Sequence, residues 1–220
     1  SNRAAAAYVG TPTPMNGRGG GLANFGVIES ILRTTFSDNQ ALGHGTGEGR
    51  GGGLDNRGRI GAIVSSTFVG NLAEGGFDVL SGGGDSFGGG LANVGEIGRI
   101  VASTFVGNRC PPSEISALFQ GGGIYTSPDY EAGNVPYPGV IVTSSLLAGN
   151  EANGAPDCYS TVPFSSGGFN LALFPDGSCH FSAPSDLVGV DPQVEPLADN
   201  GCTIALPGGS CLPTVALAAT

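Results

Sequence analysis

The sequence predicts an all-β fold, a parallel β-helix of about five to six coils with an irregular C-terminal region, and three observations carry that reading. A glycine triplet followed by an aliphatic residue occurs four times, at Gly19-Gly20-Gly21-Leu22, Gly51-Gly52-Gly53-Leu54, Gly88-Gly89-Gly90-Leu91 and Gly121-Gly122-Gly123-Ile124. In the first three copies the phenylalanine of a Phe-x-x-Asn tetrapeptide (Phe36 to Asn39, Phe68 to Asn71, Phe105 to Asn108) lies 14 positions after the aliphatic residue. Between the two motifs the chain is rich in β-branched residues bounded by Gly and Asn, as in Arg59 to Phe68, which is the pattern of short strands and turns. No apolar i, i+3, i+4, i+7 face is long enough for a helix. Copies recur every 32 to 42 residues, a period that signals a stacked array.

Residues 1–18 read as a partial unit: Asn2 precedes Leu22 by 20 residues, as Asn71 precedes Leu91 by 20. Full units follow at 19–39, 51–71 and 88–108, and a fourth at 121–150 is lengthened by a polar insertion around Ser127 to Pro138, so that Ile124 reaches Leu147-Ala148-Gly149-Asn150 after 23 positions. Counting back from each phenylalanine, aliphatics fall at minus eight (Ile28, Ile60, Ile97) and minus five (Ile31, Ile63, Ile100, with Val142 before Leu147). Serine or threonine fills minus two: Thr34, Ser66, Ser103, Ser145. Three brief strands per unit, re-entered at the same phase, describe a coil that lands on itself about every 4.8 Å.

Two inward stacks follow, Leu22, Leu54, Leu91 and Ile124 in one and Phe36, Phe68, Phe105 and Leu147 in the other. Asn39, Asn71, Asn108 and Asn150, with Asn24, Asn56 and Asn93, are expected to form amide ladders, and asparagine also tolerates the left-handed backbone that a sharp corner requires. The glycine triplets fit corners where a side chain collides with the next coil. A flexible linker is also glycine-rich, but it has no reason to keep one offset three times, and 40% hydrophobic with 12% charged residues is not a disordered composition.

From about Pro156 the repeat stops, dividing the chain into 1–155 and 156–220. The second part carries Cys158, Gly168-Phe169-Asn170-Leu171, Cys179, Asp191-Pro192 and Leu197-Ala198-Asp199-Asn200-Gly201. The Gly-Gly-Gly-aliphatic and Phe-x-x-Asn pairing resembles the repeats of the polymorphic outer-membrane proteins of chlamydiae. The wider series resembles the bacterial β-helix proteins called choice-of-anchor Q domain proteins. The resemblance covers nearly the whole chain and implies a right-handed β-helix in a secreted or cell-surface bacterial protein. Members of that family commonly continue with a Ser-Pro-Ala-Ile-Asp-Ala-Gly-like segment where this chain has Ala218-Ala219-Thr220, so both ends are expected to be cut from a longer protein.

Eight arginines, no lysine and 18 carboxylates give a net charge of −10, which opposes binding to nucleic acid or to an anionic membrane. No apolar run is long enough to span a bilayer, and Ala4 to Val9 is too short for a signal-peptide core. Cys158 with Cys179 and Cys202 with Cys211 suit local disulfides that pin a loop-rich region. Metal binding is the rival, but there is no Cys-x-x-Cys and the two histidines, His44 and His180, are far apart. Cys110 is left over, as a free thiol or as the partner of a cysteine elsewhere.

Other motifs are weaker. Gly84-Asp85-Ser86-Phe87-Gly88 matches a nucleophile elbow without its strand-to-helix context. Gly43 to Arg50 lacks the ending of a phosphate loop and reads as an exposed corner. Ser81 to Asp85 resembles half of a calcium-binding repeat, which needs tandem copies. Asp186, Asp191 and Asp199 offer a carboxylate pair for glycoside hydrolysis, but aspartate is ordinary in turns. The arginines are dispersed, with Arg59 aligned to Glu96 and Arg99 to Ala62.

The expectation is a non-enzymatic, cofactor-free, secreted or surface β-helix that serves as scaffold, stalk or self-assembling fibre subunit, with other copies or surface proteins as partners. Thr214 to Ala218 is a candidate edge strand for such pairing. Two alternatives stand beside it. One is an adhesin or glycan-binding module that contacts its partner through Tyr125, Tyr130 and Tyr137; the other is a polysaccharide lyase or hydrolase on the same fold.

Overall fold

The computed structural model describes residues 1–5, 13–111, 118–127, 139–161, 164–174, 179–198 and 214–217. It is a parallel β-solenoid of about four turns, and among the described residues no helix forms. Each turn places its first strand in a sheet made of Leu22–Asn24, Leu54–Asn56, Leu91–Asn93, Ile124–Thr126 and Cys158–Ser160. The second sheet holds Val27–Leu32, Arg59–Val64, Glu96–Val101, Ile141–Thr143 and Ser165–Ser166. The third holds Thr35–Ser37, Thr67–Val69, Thr104–Val106, Leu146–Ala148, Leu171–Ala172 and Leu187–Val188.

Register is kept from turn to turn. Leu22, Leu54, Leu91, Ile124 and Cys158 are paired in order, as are Phe36, Phe68, Phe105, Leu147 and Ala172. The rings of Phe36, Phe68 and Phe105 stack with centroids 4.6 Å apart, the spacing of the coils themselves. Together with Ile60, Ile63, Ile97, Ile100 and Val142 they form one continuous core.

The structure corrects the sequence reading in three respects. About four turns form in place of five to six: among the described opening residues only Arg3–Ala5 and Gly17–Arg18 pair onward, with Gln40–Leu42 and Gly49–Arg50, and past Ser160 the described strands shorten to two residues. The turns also contain more than three strands. Gln40–Leu42 pairs with Leu72–Glu74, and Gly17–Arg18, Gly49–Arg50, Ser86–Phe87 and Phe119–Gln120 form a further sheet. Gly43 to Arg50 is therefore not a mere exposed corner: Gly45, Gly47 and Gly49 are buried.

The third correction concerns the left-handed corners, which do not fall on the ladder asparagines. They fall on the residue before each one, Asp38, Gly70, Gly107 and Gly149, with φ of 53°, 64°, 62° and 60°. A second left-handed column precedes the serines, at Arg33, Ser65, Ala102 and Ser144, with φ of 48°, 50°, 47° and 50°. None of those four is glycine or asparagine, so the stacked fold imposes a conformation that the residues themselves disfavour. In the triplets, close approach is the constraint: a Cβ on Gly53 stands 2.6 Å from the Gly90 carbonyl oxygen.

Candidate functional site

The axial hydrogen bonds are directional. Asn39 donates its backbone N–H and its amide to Asn71 Oδ1, Asn71 does the same to Asn108, and Asn108 to Asn150, at 2.8 to 3.1 Å. The second amide hydrogen of Asn71, Asn108 and Asn150 goes to the carbonyl of Phe36, Phe68 and Phe105 respectively. Asn150 then donates to Asp157, whose other carboxylate oxygen accepts from the Phe174 N–H. At the lower end Asn2 donates its N–H to Asn39 Oδ1, which places it at the ladder's phase.

A second ladder runs from Asn24 to Asn56, from Asn56 to Asn93 and from Asn93 to the Thr126 hydroxyl. A third has no counterpart in the sequence reading, although the serines at minus two were its signal. The N–H groups of Thr34, Ser66 and Ser103 donate to the hydroxyls of Ser66, Ser103 and Ser145. Ser145 donates its N–H to Asn170, and Asn170 in turn to Asp186. Asp186 also accepts from Ser166 and Ala183. Partial burial pushes its carboxyl up, but these bonds outweigh that and hold it below the ordinary carboxylate value. Asp186 is thus occupied as a ladder terminator; Asp191 accepts a turn bond from Gln193, and Asp199 lies outside the described residues.

One constellation that the linear sequence does not show lies beside a second, smaller buried cluster, separate from the main core. Register brings Arg18 under Arg50 and Phe87 on one sheet, and Ala23 under Asp55, Ala92, Tyr125 and Tyr159 on its neighbour. Arg50 donates from both Nε and Nη2 to Glu48, at 2.7 and 3.1 Å, and lies over the Phe87 ring. Burial opposes charge on both partners, yet their mutual contact wins, lowering the Glu48 carboxyl and raising the Arg50 guanidinium. Asp55 is fully buried, and neither of its carboxylate oxygens accepts a hydrogen bond; Arg57 Nε is 3.5 Å away. Burial drives the Asp55 carboxyl above its ordinary value, only partly offset by Arg57, Arg18 and Arg50. Arg18 makes no hydrogen bond or ion pair within 4 Å with a described residue, and burial together with Arg57 lowers its proton affinity. Such a cluster suits an anionic group or internal charge balance.

Tyr125 is not presented for contact. It is buried between Phe87 and Tyr159, at 4.5 and 5.7 Å, because strand register sets it in one column with Ala92 and Tyr159, within a small apolar cluster that includes Phe87. Tyr130 and Tyr137 lie outside the described residues, as do Cys202 and Cys211. Cys158 and Cys179 form a disulfide. Cys110 is a fully buried free thiol packed with Ala73 and Phe119, its pKa pushed up to about 12 by burial, so it is not placed to bridge to another chain.

Ser86 is a strand residue whose buried hydroxyl accepts the Gly75 N–H, not the tip of an elbow. Asp85 accepts from the Leu118 N–H, and Gly82–Gly83 pairs back on Phe77–Asp78 as a hairpin. Among the described residues no three His, Cys, Asp or Glu side chains converge on a point that a metal could occupy. Thr214 and Leu217 bridge antiparallel to Ala198 and Val194 within the chain. No described helix is long and apolar enough to cross a membrane. Comparison with family models, with curated proteins and with solved structures finds no match to the chain. What stands on the geometry is a β-solenoid repeat protein with a disulfide.

Proposed function

We propose that this chain is a structural segment of a surface or secreted β-helix protein, a scaffold or stalk element of the choice-of-anchor Q and polymorphic outer-membrane-protein kind. The observation that carries the reading is the axial continuity of three hydrogen-bond ladders through four turns and of one aromatic stack through three. Such a stack passes its bonds along the axis and holds whatever sits at its ends in fixed relation. The disulfide supports an oxidising, extracellular setting. Three carboxylates near the axial ladders already have structural roles: Asp157 and Asp186 terminate ladders and Asp55 is buried.

The Arg18, Arg50 and Asp55 cluster favours a second reading, a face that binds acidic glycan. One experiment separates the two: incubation of the chain with acidic and neutral polysaccharides, followed by assays for retention and for newly formed reducing or unsaturated ends. The scaffold reading predicts neither retention nor cleavage. Retention lost in Arg18→Gln would establish the glycan face, and cleavage lost in the same variant would replace scaffold with catalysis.

A further inference from the structure

The last turn breaks two columns that the lower turns keep. The inward position of the second sheet runs Ile31, Ile63, Ile100, Val142 and then Ser166. The ladder position of the first sheet runs Asn24, Asn56, Asn93, Thr126 and then Ser160. Ile63, Ile100 and Val142 are fully buried, so Ser166 puts a hydroxyl where an apolar column would otherwise continue. A hydroxyl is costly against a dry core and suits a polar cavity.

Such a cavity is present. Ser160 and Ser166 line a cleft of about 690 Å³ together with Thr161, Ser165, His180 and Ser182, within the roughly 300 to 1,000 Å³ of small-molecule sites. Phe164, buried in the main core, supplies its apolar wall. The two sides of the cleft are tied together. Cys158 opens the strand that ends at Ser160, and its disulfide to Cys179 anchors the segment that returns with His180 and Ser182. Phe181 packs on Phe164 with ring centroids 6.2 Å apart. Between these two anchored neighbours His180 takes a left-handed φ of 50°, although it belongs to neither of the left-handed columns that stacking imposes. A residue held in that conformation marks a place where the surrounding structure aims a side chain.

The lining selects the ligand by its chemistry. Hydroxyls both donate and accept, and a neutral imidazole offers one of each. The Thr161 and Ser166 hydroxyls donate within the chain, to Ser127 and Asp186. The Ser165 and Ser182 hydroxyls and the His180 ring hydrogen-bond to no described residue. Among the described residues no arginine or lysine lines the cleft, and the net charge of −10 opposes an anion. No described carboxylate lines it either. Asp186, behind Ser166, spends Oδ1 on Asn170 and Oδ2 on Ser166 and Ala183, so a cation finds no free counter-charge.

We infer that the cleft binds a short neutral saccharide, whose hydroxyls meet Ser165, Ser182 and His180 and whose C–H edge meets Phe164. The inference goes beyond the scaffold reading, which by itself calls for no ligand. Its site lies in the last turn, at the opposite end of the solenoid from Arg18.

The test is a titration of the full, isotope-labelled chain with maltotriose, cellotriose, mannotriose and chitotriose at millimolar concentration, with trigalacturonate as the acidic comparison, read by amide resonances. At least one neutral trisaccharide should shift Ser165, His180 and Ser182 saturably and leave Glu96–Val101 unmoved. Combining His180→Ala with Ser182→Ala should weaken that binding at least about tenfold. Ser165→Trp, which fills the cleft, should abolish it, and Arg18→Gln should leave it unchanged. Native Glu96–Val101 resonances in each variant verify the fold. Retention on a neutral polysaccharide that survives Arg18→Gln and is lost in Ser165→Trp would also support the cleft. No saturable shift with any of the four neutral probes, or shifts that persist in Ser165→Trp, would overturn the inference. Shifts with trigalacturonate alone, lost in Arg18→Gln, would overturn it as well and favour the acidic-glycan face.

Discussion

The repeat half and the C-terminal part use the same coil positions with different chemistry. Through four turns the inward position is Leu, Leu, Leu, Ile, the ring position is Phe, Phe, Phe, Leu, and the ladder position is Asn throughout. Past Pro156 the inward position becomes Cys158, the ring position Ala172 and then Val188, and Asp157 and Asp186 receive what the ladders donate. In mid-stack a residue must accept from below and donate above, which an amide does. At the top it need only accept, which a carboxylate does without leaving a donor unused. Shrinking side chains close the core, and a disulfide replaces the packing that is given up.

The largest expected effect sharpens that contrast within one sheet. Phe68→Ala removes the middle ring of a fully buried stack and should destabilise by about 3 to 5 kcal/mol in denaturant unfolding. Phe169→Ala, at a residue 72% exposed, should be nearly silent. Asn71→Ala strips the acceptor from the Asn39 N–H and amide and leaves the Phe36 carbonyl without its donor, at a cost of about 3 kcal/mol. Equal losses at positions 68 and 169 would erase the distinction between stack and cap.

Replacing both Cys158 and Cys179 by serine should cost about 3 kcal/mol, with increased exchange confined to the C-terminal part. Loss of protection in Arg59–Val64 as well would mean that the two parts unfold as one unit.

Smaller effects come from pH, where two carboxylates act in opposite senses. The Asp186 carboxyl is depressed, so its contribution is complete above the ordinary carboxylate value and is lost as pH falls through the folded value. The Asp55 carboxyl is raised, so its burial is tolerated best below the ordinary value, and that benefit is lost as pH rises through the folded one. Asp55→Asn should raise the melting temperature at neutral pH and have little effect in acid. Asp186→Asn should lower it at neutral pH, and the difference from wild type should shrink below pH 3.8. The smallest effect is Ala102→Gly, which relieves a left-handed φ of 47° and should stabilise by about 0.5 kcal/mol or leave stability unchanged.

The solenoid was legible because its constraints repeat. One offset between Leu54 and Phe68, recurring at Leu91 and Phe105, fixes the phase of every inward residue between them. The left-handed column at Ser65, Ala102 and Ser144 was not legible, since local preference points away from it and only stacking enforces it. Nor was the cluster of Arg18, Arg50 and Asp55. Arg50 and Asp55 follow Arg18 by 32 and 37 residues, and Arg18 joins them because the coil returns to the same phase with an arginine on one sheet beside an aspartate on the next. Tyr125 misled for the reverse reason: an aromatic beside an insertion reads as exposed, whereas its register places it between Phe87 and Tyr159.

The most direct test of the stack is a nuclear Overhauser measurement on the chain with labelled phenylalanine rings. The Phe68 ring should show contacts to both Phe36 and Phe105, residues 32 and 37 positions away in the sequence, with none between Phe36 and Phe105. A Phe68 ring in contact with neither would contradict the in-register solenoid on which the ladders and the core depend.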